Sequence, residues 1–398
     1  MFFTCLACAQ LVRAEVSSNF RTDSGLVPSA VSKADNGAAV HPVLNAFESM
    51  MSKRLDSIKK DVPLDYNEFV QSYIDKYISR RDDIGSILGK TKYYFPIYEK
   101  AFHDAGIPEE IKFLSIVESE LNPNAVSRVG ATGPWQFMYT TGKNFGLNID
   151  SYVDERRDPI QASYAAAAYI KDAYQEFGDW LLAIASYNCG KSSVERAIEK
   201  ANALDFWSIR EYLPQETRNY VPAYIAITYV MNYYNRYHIT PRVCSYAINT
   251  DTVLVNKFVS LSNIARVLDV DTKQLAILNP AYTRLIVNGT PTVPKRMIIP
   301  QVTKEKYSAL YNALNGESLT VASTPVYSDP DDAQQIPTFH KVKRGETLAR
   351  IADKYGVDLT DLKEWNHVSK AVPGKTLRLS APLNASNLTG KNSIAAKL

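Results

Sequence analysis

Between Pro108 and Met138 the sequence gathers residue types suited to proton transfer. Pro108, Glu109 and Glu110 read as a first helical turn, with proline and negative charge where the helix dipole favours them. At 100° per residue Ile111, Leu114 and Leu121 share a face, and Glu118 falls between Ile111 and Leu114. A carboxyl held among apolar side chains is desolvated and stays protonated near neutrality, as a general acid for a glycosidic oxygen must. Glu120 lies beside Phe113 and Ile116 on the same wheel, so periodicity does not choose between the two. On pattern alone, two surface carboxylates at a helix end is the plainer reading.

Other chemistries find less support. Gly85 to Thr91 (GSILGKT) looks like a phosphate-binding loop, but it is one residue short of the pattern and no β-type run precedes it. It reads as a helix end. The five histidines are scattered, and Cys189 and Cys244, the only cysteines beyond the first dozen residues, match no metal-ligand spacing. Cofactor-free chemistry is therefore expected. With 45 basic residues against 42 acidic, the net charge of +3 shows no preference for a polyanion, so nucleic acid is not the expected partner. The 25 tyrosines suit either a cleft with flat amphipathic walls or ordinary core packing.

The elements that must position these groups divide the chain. At 398 residues, two or three domains are expected. Residues 46–240 are helical almost throughout, with Gly, Pro and Asn at the breaks, an Ala-rich stretch from Ser163 to Phe177 and a Tyr-rich one from Glu216 to Tyr237. From 244 onwards the texture changes to short β-type runs, short helices and turns. Here the chain repeats itself at an offset of 87: Leu261, Ile264, Ala265, Val270, Asp271, Leu275 and Asn279 match Leu348, Ile351, Ala352, Val357, Asp358, Leu362 and Asn366. Residues 314–337 between the copies read as a linker and 382–398 as a disordered tail.

The second copy, 338–381, has the order βααβ: a strand at Phe339 to Val342, a turn at Arg344-Gly345, a helix closed by Gly356, a helix capped by Asp358, and a strand at Thr376 to Leu379. It resembles the LysM family, through Val342 to Leu348, Ile351-Ala352, Leu362 to Asn366 and Gly374 to Leu377. The resemblance implies binding to N-acetylglucosamine-containing strands such as peptidoglycan. The first copy, 244–301, is a degenerate LysM-like module, because Phe258-Val259-Ser260 stands where the second has Gly345-Glu346-Thr347.

Residues 60–240 resemble the soluble lytic transglycosylase domain. The motifs are Glu118-Ser119, Asn122-Pro123, Ala125, Ser127, Gly130-Ala131, Gly133 and Trp135 to Met138. Asp154-Glu155-Arg156, Ser186-Tyr187-Asn188 and Glu216 to Pro222 follow in the family's order. Ser186 and Pro134 depart from the usual alanine and leucine. The resemblance implies a multidomain chain: an all-α, goose-lysozyme-like catalytic domain at 46–240, then small α+β LysM modules. It implies Glu118 as the sole catalytic acid/base, with Ser127, Gln136, Met138, Tyr187, Asn188 and Tyr220 lining a saccharide cleft. The implied reaction cleaves the β-1,4 bond between N-acetylmuramic acid and N-acetylglucosamine without water, leaving 1,6-anhydro ends. Two alternatives stay open: a hydrolytic muramidase using Asp154, Glu155 or Glu216 as a second carboxylate, and a non-catalytic peptidoglycan-binding protein.

No run of about 18 apolar residues is present, so no transmembrane helix is expected. Residues 1–14 read as a signal segment, with Ala7-Cys8-Ala9 or Val12-Arg13-Ala14 as the cleavage site, and 15–45 as a flexible spacer. The chain is then exported to the periplasm or cell envelope. Cys8 as a lipid-carrying residue is an alternative that would anchor it to the membrane, although Leu6-Ala7 fits that signal poorly. N-terminal sequencing of the native protein should begin after Ala9 or Ala14; an intact Met1 in a cytosolic fraction overturns export.

Overall fold

A computed structural model of the chain describes residues 40–316 and 339–379, apart from positions 245, 248, 356 and 358. The signal segment, most of the spacer and the linker, the tail, and the expected caps Gly356 and Asp358 lie outside the described residues.

The N-terminal unit is built around the helix Gln215–Tyr233, which is buried continuously from Tyr220 to Met231. A helix apolar or aromatic on every face belongs at the centre of a fold. Helices Glu68–Ser79, Leu114–Ser119 and Trp180–Cys189 pack around it, and Arg81–Ala105 packs against Pro159–Phe177. The Tyr-rich pattern now has a physical account. Tyr220, Tyr224 and Tyr229 are fully buried, and each phenol reaches a different element: Glu118, the Glu110 carbonyl at 3.3 Å, and Arg54 at 3.1 Å. Each ring therefore buries apolar area while its hydroxyl stays satisfied.

Local signals set the helix ends. Asp158 caps Pro159–Phe177 through the Ile160 and Gln161 amides, at 2.8 and 3.1 Å, with Pro159 at the first helical position. Gly178 ends that helix at φ 68°. The first helix, Val40–Ile58, begins within the stretch expected to be spacer. The Gly85 to Thr91 stretch lies inside Arg81–Ala105 rather than at its end. Its glycines admit the chain leaving the helical unit: a Cβ on Gly89 would lie 2.1 Å from the Arg242 carbonyl oxygen.

Beyond residue 249 come two small α+β modules. In the first, β1 (Thr250–Val255) pairs antiparallel with β4 (Lys295–Pro300), and helices Leu261–Leu268 and Thr272–Leu278 lie between them in sequence. A second ladder joins β2 (Phe258–Ser260) to β3 (Ile286–Asn288). Helix Tyr307–Asn315 packs on Leu261–Leu268 and overlaps the first residues of the expected 314–337 linker. The second module has β5 (Phe339–Lys341), helices Leu348–Tyr355 and Leu359–Asn366, and β6 (Thr376–Arg378) antiparallel to β5.

The repeated asparagines do the same work in both copies. Asn279 donates to the Leu275 and Ile298 carbonyls, at 2.8 and 2.6 Å, and accepts from the Ile298 amide at 2.8 Å. Asn366 donates to the Leu362 and Arg378 carbonyls, both at 2.8 Å, and accepts from the Arg378 amide at 2.6 Å. One side chain thus pins the second helix to the last strand. Asn366→Ala leaves those backbone groups without a partner and should cost about 1–3 kcal/mol. Faster hydrogen exchange at the Val342 amide, which bonds the Lys375 carbonyl at 2.9 Å, is the readout.

Candidate active site

Glu118 sits in the last turn of Leu114–Ser119, which follows directly from a 3-10 turn, Glu109–Phe113. Every residue from Phe113 to Ser119 is buried, so no wheel separates a wet face from a dry one here. The chain direction does that instead. Glu120 and Leu121 both adopt left-handed backbone, with φ of 54° and 59°. Such conformations cost on the order of 1 kcal/mol or more each for residues with a side chain, and they persist where the surroundings impose them. Full burial of Leu121 and the 3.1 Å bond from the Asn122 amide to the Ser119 carbonyl hold this reversal.

The reversal sends the two carboxylates apart. Glu120 turns out to Arg80, 2.8 Å away in a partly exposed pair, and its backbone carbonyl accepts from Lys90 at 3.1 Å. Glu118 turns inward, 6% exposed, and its Oε1 accepts the hydroxyl of the fully buried Tyr220.

Glu118 borders an open cleft with both polar and aromatic residues in its walls. Gln136, Met138, Tyr187 and Asn188 line it with Glu118. Ser127 and Tyr220 are not among the lining residues. Ser127 is buried and its hydroxyl accepts from the Ala131 amide at 3.0 Å, so it shapes the loop; Tyr220 stands behind Glu118. Lining residues that sequence reasoning missed are Val129, Ala131, Phe137, Thr141, Tyr169 and Gly190. Tyr169 carried a signal, being the aromatic residue that ends the alanine run 165–168.

The cleft walls are fixed by hydrogen bonds behind them. Tyr187 donates to the Trp135 carbonyl at 2.7 Å, and Tyr169 to the Ser186 carbonyl at 2.8 Å. Burial pushes the Tyr169 phenol up to about 12, so it stays a neutral donor. Thr217 donates to Asn188 Oδ1 at 2.7 Å, which orients that amide. Cys189 and Cys244 are free thiols, and burial raises the Cys189 thiol, which keeps it un-ionised beside the cleft.

The loop from 126 to 137 has no regular structure, only isolated bridges from Thr132 to Val126 and Phe137. Trp135, fully buried, anchors it: its indole donates to Ser163 Oγ at 2.8 Å and its ring packs 5.1 Å from Tyr98 and 5.4 Å from Phe102. Gly133 (φ 88°) presses on the Arg156 carbonyl so closely that a Cβ would lie 1.7 Å away. Gln136 (φ 46°) ties the loop to itself, its amide donating to the Gly133 and Ala125 carbonyls at 2.8 and 3.2 Å.

Glu118 is the one carboxylate among the lining residues. Asp154 is held by Arg156 at 2.8 and 2.9 Å, Glu155 accepts from Asn148 at 2.9 Å, and neither they nor Glu216 border the cleft. Glu120→Gln should therefore keep most wild-type cleavage of cell walls. It loses a partly exposed ion pair worth about 1 kcal/mol at most. An inactive but folded Glu120→Gln would contradict this geometry.

Comparison with known proteins identifies three domains along the chain. The transglycosylase SLT domain matches residues 96–210, the LysM-like domain of lytic transglycosylase MltD matches 249–316, and the LysM domain matches 340–380. Membrane-bound lytic murein transglycosylase D of Escherichia coli is 28% identical over 345 residues, covering 85% of this chain and 74% of that protein. A putative tributyltin chloride resistance protein of an Alteromonas species is 36% identical over 105 residues, 25% of this chain and 51% of that one. The 70 kDa soluble lytic transglycosylase of E. coli, a solved structure, aligns with a TM-score of 0.33 and 21% identity, over 52% of this chain and 38% of that one. The chain thus carries an SLT domain, an MltD-type LysM-like domain and a LysM domain, in that order, and is similar to lytic murein transglycosylases along most of its length.

Proposed function

We propose that Glu118 is the single acid/base of a cleft that cuts peptidoglycan between N-acetylmuramic acid and N-acetylglucosamine, with a 1,6-anhydromuramic acid end as product. The observation that carries this reading is one buried carboxylate in an open cleft with no second carboxylate among its lining residues. A hydrolytic glycosidase needs a partner carboxylate to activate water or to act as nucleophile. A muramic acid ring carries its own nucleophile, the 6-hydroxyl, and a well-placed intramolecular group has an effective molarity on the order of 10⁵ M or more.

In the proposed sequence, protonated Glu118 gives its proton to the departing glycosidic oxygen. As the carboxylate it then takes the proton of the 6-hydroxyl while that oxygen closes on the anomeric carbon. The C1–O4 bond breaks, the C1–O6 bond forms, and no water is consumed. The Tyr220 hydroxyl donates to Glu118 and so stabilises the carboxylate stage, holding the group in place for both transfers. Tyr187, Asn188, Gln136 and Met138 line the saccharide site, and Ser127 acts through the loop it shapes.

Residues 338–381 bind the same polymer and hold the cleft near its substrate, where a tether raises the effective concentration. Export to the cell envelope follows from that substrate. Among the described residues no helix is long and apolar enough to cross a membrane, and an N-terminal anchor at Cys8 is the alternative route to membrane association.

Glu118→Gln keeps the shape of the side chain but cannot exchange the proton. It should abolish cleavage while leaving sedimentation with insoluble sacculi unchanged. Wild-type digests should yield fragments about 18 Da lighter than hydrolysis products, since ring closure leaves out the water that hydrolysis adds. Full-mass reducing ends in the mass spectrum would make water the nucleophile and overturn the anhydro product.

A further inference from the structure

The stretch Tyr152 to Asp158 is a seam between the helical unit and the first small module. Val153 pairs with Tyr282 in an isolated antiparallel bridge, the Asp154 amide donates to the Ala281 carbonyl at 2.9 Å, and the Thr283 amide donates to the Tyr152 carbonyl at 3.1 Å. Val153 is 2% exposed and belongs to the module's own apolar core. Tyr152 meets Phe258 edge-on at 5.4 Å, and Arg296 pairs with Asp158 at 2.6 Å in a half-buried contact. Phe258 is the residue with which the first copy departs from the LysM pattern. The departure is thus a docking residue.

The seam leads to the cleft through Arg156. Its guanidinium is buried, paired with Asp154, and donates to the Gly130 carbonyl at 3.1 Å and the Phe137 carbonyl at 3.4 Å. Its own carbonyl is the surface on which Gly133 rests. Both ends of the 130–137 loop, which contributes Ala131, Gln136 and Phe137 to the cleft, are therefore tied to a residue three positions from Val153, the one seated in the module's core. A loop with φ of 91° at Gly130, 88° at Gly133 and 46° at Gln136 has no intrinsic preference for its shape and takes it from such ties.

We propose that residues 249–316 act as a brace for the cleft, rather than as a mobile wall-binding module, with Arg156 as the positioning residue. The LysM-type unit has given up part of its pattern to dock on Tyr152 to Asp158, and through Arg156 it holds the 126–137 loop in its working shape. The effect on turnover rests on the cleft assignment proposed above; the effect on the loop does not.

The test uses the full chain with Phe258→Ala and Arg296→Ala combined, both outside the cleft and neither fully buried. Hydrogen exchange at the Ala131, Thr132, Gln136 and Phe137 amides should become about tenfold faster, since an aromatic contact and a half-buried ion pair are lost. Amides of Gln215–Tyr233 should keep their protection. On soluble, uncrosslinked glycan strands kcat should fall severalfold, whereas sedimentation with sacculi stays at the wild-type level. Arg296→Lys in place of Arg296→Ala should restore most of both effects. Unchanged exchange in the 126–137 loop overturns the brace, and so does exchange that rises equally across the buried helix. If wild type and Glu118→Gln are alike in lacking cleavage, the proposed activity fails, and the exchange result still decides the brace.

Discussion

A carboxyl buried among apolar side chains is costly in its charged form unless it receives a hydrogen bond. Glu118 receives one from Tyr220, which lies 102 residues further along the chain. Meeting that demand explains much of the helical unit. Tyr220 must stand on an element that is itself fully enclosed, and the enclosure of Gln215–Tyr233 requires helices on every side of it. The other buried tyrosines of the same helix reach out to Glu110 and Arg54, so one helix sets the position of several neighbours at once.

The opposite wall of the cleft is held by a different principle. Here no ladder or helix provides regularity, and the backbone is set by close contacts that only particular residues allow. Gly133 permits the approach of Arg156, Trp135 fills a pocket between Tyr98 and Phe102, and Arg156 bonds the carbonyls of the loop. The regular helices supply rigidity, and the loop supplies the varied chemistry of the wall.

The two copies of the small module show one fold serving two surroundings. Both use the same asparagine to join helix to strand, and both bury the same apolar positions. In the first copy a short ladder, β2 with β3, occupies the place of the Gly345-Glu346-Thr347 turn, and it meets the helical unit. The second copy keeps the turn, with Gly345 at φ 86°. Where the sequence broke the repeat, the structure placed a contact.

The sequence by itself determined the order of the domains, the all-α character of the first and the repeat, and its motifs drew attention to Glu118, Gln136, Met138, Tyr187 and Asn188 through a family resemblance. Those features are written in periodicity and in motifs that are local along the chain. Periodicity did not separate Glu118 from Glu120, because the short helix is buried on all sides and the directions of the two depend on two left-handed residues, Glu120 and Leu121, at its end. Sequence reasoning placed Tyr220 and Ser127 in the cleft wall, whereas one stands behind the acid and the other shapes a loop. It missed Tyr169, whose helix looked like plain alanine packing. Which side of a residue faces the cleft depends on neighbours brought from distant parts of the chain, and such long-range contacts exist only once the helices have packed.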